Sequence, residues 1–454
     1  MTFLKPQPTR LGLVCLARLT FEAALAEQWY AQTRARLSKL DGVELCAVEK
    51  MVIEAPDADV AIAELRAQNI DALVIVSGTF ALGGLATRLA QEFAQLPLML
   101  WAWHEPKEQT GKLRLNSLVG ANTNASNLYK LGHRPATLYL AHDDPGAAEN
   151  IARFGRVAGI LRDLRQLRIA FIGGHAPGFD DLAVDKLALR RATGVEIVDV
   201  GLQVLVARAK AVAEDRARAA AADLLKEFDD VVEISARQGD LFAALVITLT
   251  EFAAENRFDA MTLKCWGDLV EAYGIAGCGV VSILNDRGIY TGCEGDIMGT
   301  ISMLVARRLT GIHPFLTDFV SVDRETNTGL MWHGGCSPIG LADPKQPKHL
   351  FSHFAGGKGV TAGFALKPGR VTLLRLGDDG HNLRMLATTA TALDTEMEVR
   401  GTLTRVAFDS NAMAFLGEML SNGWEHHLVM AYGEIVPELE MLCGTLNVPL
   451  TLVK

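Results

Sequence analysis

The sequence predicts an α/β chain with two doubly wound domains followed by a C-terminal antiparallel β-barrel domain. Three observations lead there. Short apolar runs alternate with amphipathic stretches from Leu11 to about Gln166, a second such series opens at Leu167, and after Pro344 the texture changes to short strands separated by turn residues. The first two patterns suit a parallel sheet whose faces are both covered by helices, because its strands are buried on each side and lose their polar alternation. The third suits antiparallel pairing through tight turns. The expected division is 1–166, 167–344 and 345–454.

In the first domain "LGLVCLA" precedes an Ala- and Leu-rich stretch, "VELCAV" precedes "ADVAIAELRAQ", "DALVIVSG" precedes "GGLATRLAQEF", and "PLMLWAW" runs into a loop. The second, also Rossmann-like, starts with "LRIAFIGGHAPGFDD", where a buried type of strand ends in glycines. Helices are expected at 204–228 and 238–256, then a strand "DAMTLKC", a helix "GDLVEAYG", the apolar run "GCGVVSILND", a strand at 289–291 and a helix opening at Ile297. In the third, "HLFSHFA", "VTAGFALKPGRVTLLRLG", "HNLRMLATTATAL" and "RGTLTRVAFD" are strands divided by Lys-Pro-Gly and Gly-Asp-Asp-Gly turns. A helix near 410–421, a strand in "GWEHHLVMAYG", another helix and a strand in "VPLTLVK" close the chain.

Composition removes several function classes. With 454 residues, 49% hydrophobic and 21% charged, the chain is long enough to fill more than one core. A formal charge of -9, with no basic run longer than a pair, gives little purchase on nucleic acid. Pro6 and Pro8 stand ahead of the first strand and no small-residue cleavage site follows, so no secretory leader is expected. No apolar stretch is long enough to span a bilayer, so no membrane partner is expected. The seven cysteines are scattered without a CxxC pair, which fits a reduced, cytoplasmic protein.

The stretch "GCEGDIMGTISM" places Glu294 and Asp296 where a strand gives way to a helix. Parallel sheets bind ligands at such strand ends, although Asp296 would also serve as a plain helix N-cap. A second acidic pair, Asp268 and Glu271 in "KCWGDLVEAYG", follows the preceding strand, so two strand ends present carboxylates to one rim. Hard divalent cations prefer such oxygens, and manganese accepts an imidazole beside them. His426 and His427 in "NGWEHHLVMAYG" and His333 in "GLMWHGGCSP" are the candidate imidazoles. "IGGHAPGFD" lacks the lysine and spacing of a phosphate loop and reads as a tight turn. "AGGKGV", with Lys358, reads equally as an anion loop or a hairpin. The tryptophans of "LWAWHEP" line a sugar cleft or pack in the core.

The run "KCWGDLVEAYG…GCGVVSILNDRGIYTGCEGDIMGTISMLVARRLTG", then "TGLMWHGGCSP", then "RGTLTRVAFD…GWEHHLVMAYG", resembles the L-fucose isomerase and L-arabinose isomerase superfamily, most of all its shorter L-fucose isomerase-like members. The resemblance covers most of residues 165–454 and is strongest over 264–309; the first 160 or so share only architecture. It implies an aldose-ketose isomerase with two α/β domains, a C-terminal barrel and a catalytic Mn²⁺, with Mg²⁺ or Co²⁺ as substitutes. Carried over by position, the metal ligands fall on Glu271, Asp296 and His427, the two carboxylates doubling as base and acid. Asp268 and Glu294 stand as alternatives to Glu271. Glu294, Asp268, His333, His426, Lys264, Trp266 and Lys358 are the expected substrate-binding or supporting residues.

Such chemistry suits these residue types. Moving a carbonyl between C1 and C2 needs a carboxylate to carry a proton and a divalent ion to hold the enediolate oxygens. The chain is shorter than full-length sugar isomerases, so a hexose altered at C5 or C6, sulfonated or phosphorylated, enters as a substrate, with Lys358, Arg287 or Lys264 to meet its anion. The resemblance also implies a homo-oligomer with its site near a subunit interface, where Trp29, Trp101, Trp103 or His104 would contribute. An epimerase or lyase on the same site, and a catalytically silent sugar-binding protein, are the alternatives.

Overall fold

The computed structural model describes residues 7–108, 111–354 and 356–454. The expectation about a leader rests in part on residues 1–6, and the loop reading of "AGGKGV" begins at Ala355; both lie outside the described residues.

Two compact units form, one from residues up to Asp163 together with Pro437–Val448, the other from Leu164–Val436 with Pro449–Lys454. In the first, the strands Val43–Ala47, Thr9–Leu16, Ala72–Ser77, Leu98–Ala102 and Ala136–Tyr139 lie side by side in that order, all parallel. One face packs on Ile62, Leu65, Leu85 and Leu89, the other on Tyr30, Leu37, Trp103 and Phe154. Cores on both faces explain why these strands read as unbroken apolar runs.

The second unit begins with a four-stranded parallel sheet in the order Thr291–Cys293, Ala260–Leu263, Arg168–Ile172, Glu196–Val200. The single helix expected at 204–228 is two, Leu202–Lys210 and Glu214–Leu225. Alanines on both sides of the break hide it, and Glu214 and Asp215 in the first turn are the start signal that marks it. "GCGVVSILND" forms the helix Cys278–Asp286, eight of whose nine residues are buried, so it carries no polar face to reveal its period. The strand expected at 289–291 is Thr291–Cys293.

The barrel closes on six antiparallel strands: Phe315–Asp323, Thr328–His333, Thr402–Phe408, Leu383–Ala392, Gly369–Asp378 and His427–Tyr432, the last pairing back to the first. Its first two strands lie upstream of Pro344. Val360–Ala365, His349–Ser352 and Asp230–Val232 extend the sheet beyond Thr402–Phe408. Among the described residues no helix is long and apolar enough to cross a membrane.

Candidate active site

The turn between Thr291–Cys293 and the helix Ile297–Thr310 is shaped by close approaches. Glu294 has φ 62° and Gly295 φ 84°, two successive left-handed residues. A Cβ on Gly295 would stand 2.5 Å from the carbonyl oxygen of Gly174, so only glycine fits against the "IGGHAPGFD" loop. The left-handed glutamate is unusual for a residue with a Cβ. It is held from two sides, since its carbonyl accepts from Ala176 N at 3.0 Å and Trp266 Nε1 donates to its Oε1 at 3.0 Å.

Asp296 is a helix cap and more. Its Oδ1 accepts from Gly299 N at 2.7 Å, and both oxygens accept from the Arg375 guanidinium, with all three partners' site fully closed to solvent. Its Oδ2 also accepts from His427 Nδ1 at 2.9 Å. Burial alone would raise this carboxyl, but the Arg375 charge and the His427 hydrogen bond outweigh it and hold it well below the usual range. The carboxylate is thus fully engaged, and it fixes the His427 proton on Nδ1, so that Nε2 is the nitrogen turned to the neighbouring side chains.

Three groups face that nitrogen. Glu294 Oε2 is 3.2 Å away, His333 Nε2 3.1 Å and Asp318 Oδ1 3.6 Å. Asp318 was not singled out from the sequence. Its strand, Phe315–Asp323, pairs with His427–Tyr432 in a register that puts Asp318 directly opposite His427. Asp318 Oδ1 is buried without a hydrogen-bond partner among the described residues, and such an orphan ordinarily has something to bind. The backbone N–H of Gly334 donates to His333 Nδ1 at 2.7 Å, which leaves the proton of a neutral His333 ring on Nε2.

Burial disfavours charge on His427, but the hydrogen bonds to Asp296 and Glu294 and the nearby Asp318 push its pKa up to about 10. Burial likewise raises Glu294, yet hydrogen bonds from His426 and His427 bring it well below the usual carboxylate range. His426 Nδ1 donates to Asp181 at 2.6 Å and its Nε2 is 3.5 Å from Glu294. A cavity of about 400 Å³ opens over this cluster, lined by Trp266, Glu294, Asp318, Trp332, His333 and His426 together with Phe179, Phe319 and Phe354.

The remaining expected residues fall elsewhere. Glu271 is exposed on the short helix Asp268–Tyr273 and belongs to none of the clusters that could hold an ion among the described residues, so the structure does not bring it together with Asp296 and His427. Asp268 pairs with Lys264 at 2.6 Å. Lys358 is exposed, and Arg287 pairs with Glu227 at 3.2 Å. Trp101 and Trp103 are core residues of the first unit, where Trp29 packs edge-on to Trp103 and stacks on His142. His104 lies against Tyr139.

Residues 12–165 match the family described as "Fucose/sulfoquinovose isomerase, N-terminal domain". The sulfoquinovose isomerase of Priestia aryabhattai is 29% identical over 449 residues, covering 97% of this chain and 98% of that one. These similarities support a place in the fucose/arabinose isomerase-like superfamily. Further relatives match over less of the chain. A sulfoquinovose isomerase of Alkalicoccus urumqiensis is 29% identical over 84% of this chain and 85% of its own. An L-arabinose isomerase of Acidothermus cellulolyticus is 26% identical over 56% and 53%.

Proposed function

We propose that this chain is an aldose-ketose isomerase acting on a sulfonated hexose, with a divalent ion, Mn²⁺ or in its place Mg²⁺ or Co²⁺, held by Glu294, Asp318 and His427. The single observation that carries the site is the convergence of two carboxylates on one imidazole nitrogen whose opposite nitrogen is locked by Asp296. The donor types, carboxylate oxygen and imidazole, suit such an ion: Glu294, His333 and His427 offer ligand atoms within 4.8 Å of one another, as do Asp318, His426 and His427, and Asp318 Oδ1 has no hydrogen-bond partner among the described residues. Full-length similarity to sulfoquinovose isomerases supports the substrate class. This reading replaces Glu271 and Asp296 as ligands by Asp318 and Glu294, and gives Asp296 the task of orienting His427.

A bound ion would offset the negative charge that develops on the sugar oxygens during proton transfer. The chain's own groups move the proton. Trp266 occupies Glu294 Oε1, so Oε2 is the oxygen turned to the cluster, and the carboxylate is ionised at neutral pH. Glu294 and Asp318 are the pair that takes a proton from C2 and returns one at C1. His333 lines the cavity beside them, and Trp266, Trp332 and Phe179 wall the reaction from water. The proposal extends to a homo-oligomer with its site near a subunit interface, supported by the superfamily resemblance, and to a reducing, cytoplasmic setting, supported by seven buried free thiols.

Deuterium wash-in tests the reading. EDTA-treated protein supplied with Mn²⁺ in D₂O should interconvert a sulfonated hexose with its ketose and place deuterium at C1 or C2, seen by NMR, and EDTA should stop it. Label with no aldose-ketose interconversion, or turnover indifferent to EDTA, overturns it.

A further inference from the structure

Close to the acidic rim the second unit gathers three thiols. Cys265 follows the strand Ala260–Leu263, Cys293 ends the neighbouring strand Thr291–Cys293, and Cys278 opens the helix Cys278–Asp286. Their sulfurs all lie within 4.8 Å of one another. Cys265 and Cys293 are 2.7 Å apart, and Cys278 Sγ is 3.4 Å from His353 Nε2. The backbone brings them together: Gly277 N donates to the Cys265 carbonyl at 2.6 Å, drawing the helix start onto the strand end. A Cβ on Gly277 would press on Leu263 at 3.1 Å.

Three other cysteines provide a contrast within the same chain. Cys15, Cys46 and Cys336 are each buried with the thiol turned to a backbone carbonyl, those of Leu16, Glu44 and Leu316. That is how a thiol behaves as a small apolar residue with a weak donor. In the trio the polar contacts run thiol to thiol and thiol to imidazole instead. The sulfur of Cys278 also sits at a helix N-terminus, where the backbone dipoles favour a thiolate.

We propose that Cys265, Cys278 and Cys293 form a second metal site, for a soft, thiolate-seeking ion such as Zn²⁺ or Cu⁺, with His353 beside it at the Cys278 corner. Thiolates sharing a tetrahedral ion with bonds of about 2.3 Å stand roughly 3.8 Å apart, inside the range that the three sulfurs already span. Donor chemistry separates this site from the other: thiolates select soft ions, whereas carboxylates with imidazole select Mn²⁺ or Mg²⁺. Coordination exchanges each S–H bond for a sulfur–metal bond and releases the proton to solvent, with no oxidant needed. The ion would tie together the two strand ends that carry Trp266 and Glu294, each one residue beyond a ligand cysteine and hydrogen-bonded to one another. It would act as a clamp under the rim.

The full chain, purified under reducing conditions and stripped with EDTA, is titrated with Cd²⁺ while ultraviolet absorption reports thiolate-to-metal charge transfer. Mn²⁺ binding is followed in parallel by electron paramagnetic resonance. The expected result is a saturable thiolate band from on the order of one ion per chain, displaced by Zn²⁺, lost in Cys278→Ser and Cys265→Ser, and kept in Cys443→Ser. Circular dichroism and urea unfolding of the variants, compared with the wild type, show that they fold. A wild-type chain with no thiolate band, one whose Cys265 and Cys293 are found as a disulfide with no ion, or a band unchanged in Cys278→Ser overturns the proposal. Loss of Mn²⁺ binding by the wild type would count against the hard-ion site alone, so the two readings fail separately.

Discussion

The two units each build a parallel sheet, and the strand ends of those sheets have opposite fates. In the first unit Leu98–Ala102 carries Trp101 and runs into Trp103, both buried, with Trp101 Nε1 donating to Leu140 O and the Trp103 backbone N–H donating to Ser117 Oγ. In the second, Thr291–Cys293 runs into Glu294, bent into a left-handed conformation, and Asp296, whose charge is met by Arg375 from the barrel. A strand end alone does not make a site. It becomes one where another element delivers opposing groups, here the cross-strand neighbours Asp318 and His427.

The largest effects should separate the two strand ends by kind. Glu294→Gln and Asp318→Asn should each lower kcat by about 10³-fold, within the range of a lost acid or base, with unfolding free energy measured in urea little changed. Trp103→Ala should do the reverse, costing about 3–5 kcal/mol of stability for a large side chain removed from a core, with Mn²⁺ affinity intact in the protein that remains folded. If Trp103→Ala abolished Mn²⁺ binding by folded protein, the contrast between the two regions would collapse.

Arg375→Ala sharpens the comparison next. It leaves Asp296 charged and buried without its main partner, a change that costs about 3–5 kcal/mol when a buried ion pair is broken from one side. It should also loosen the His427 ring and weaken Mn²⁺ binding. Equilibrium unfolding and a Mn²⁺ titration would read the two losses, and retained affinity would show that Asp296 does not need Arg375 to orient His427.

A pH profile of the ion-free protein gives a smaller signal. His427 is raised to about 10 from an unfolded value near 6.5. Its contribution to stability is therefore full below about pH 6.5 and is lost as pH climbs through 10. Glu294 and Asp296 are depressed, so theirs is present above their unfolded values and lost in acid. In EDTA, Tm should fall by a few degrees, on the usual scale of about 1 kcal/mol per few degrees, between pH 7 and 10. His427→Gln should flatten that slope.

Much of this was legible in the sequence, for reasons that differ by element. Strands buried on both faces announce themselves as apolar runs, and the Lys-Pro-Gly and Gly-Asp-Asp-Gly turns announce the barrel. Glu294, His333, His426 and His427 stand out because charged and imidazole groups sit beside glycines in otherwise apolar stretches. Asp318 does not. The first of the two aspartates in "FLTDFVSVD" looks like the exposed face of a strand, and only the register sets it opposite His427. Asp296 and Glu294 are two residues apart, and which of them faces the cavity depends on Arg375, which comes from a strand 79 residues further on.

The smallest expected effect bears on the same distinction. Glu271 and Asp268 also follow a strand end, that of Ala260–Leu263, beside the one that carries Glu294. Both are exposed, and Asp268 already holds Lys264. An exposed carboxylate in high dielectric binds a divalent ion weakly, since water competes for the ion and no fixed donor completes its shell. Glu271→Gln should therefore leave kcat and Mn²⁺ affinity within about twofold of the parent, as surface substitutions do when they touch no special feature. A loss approaching that of Glu294→Gln would mean that Glu271 reaches the ion in the working enzyme, and would move the acidic rim from one strand end to two.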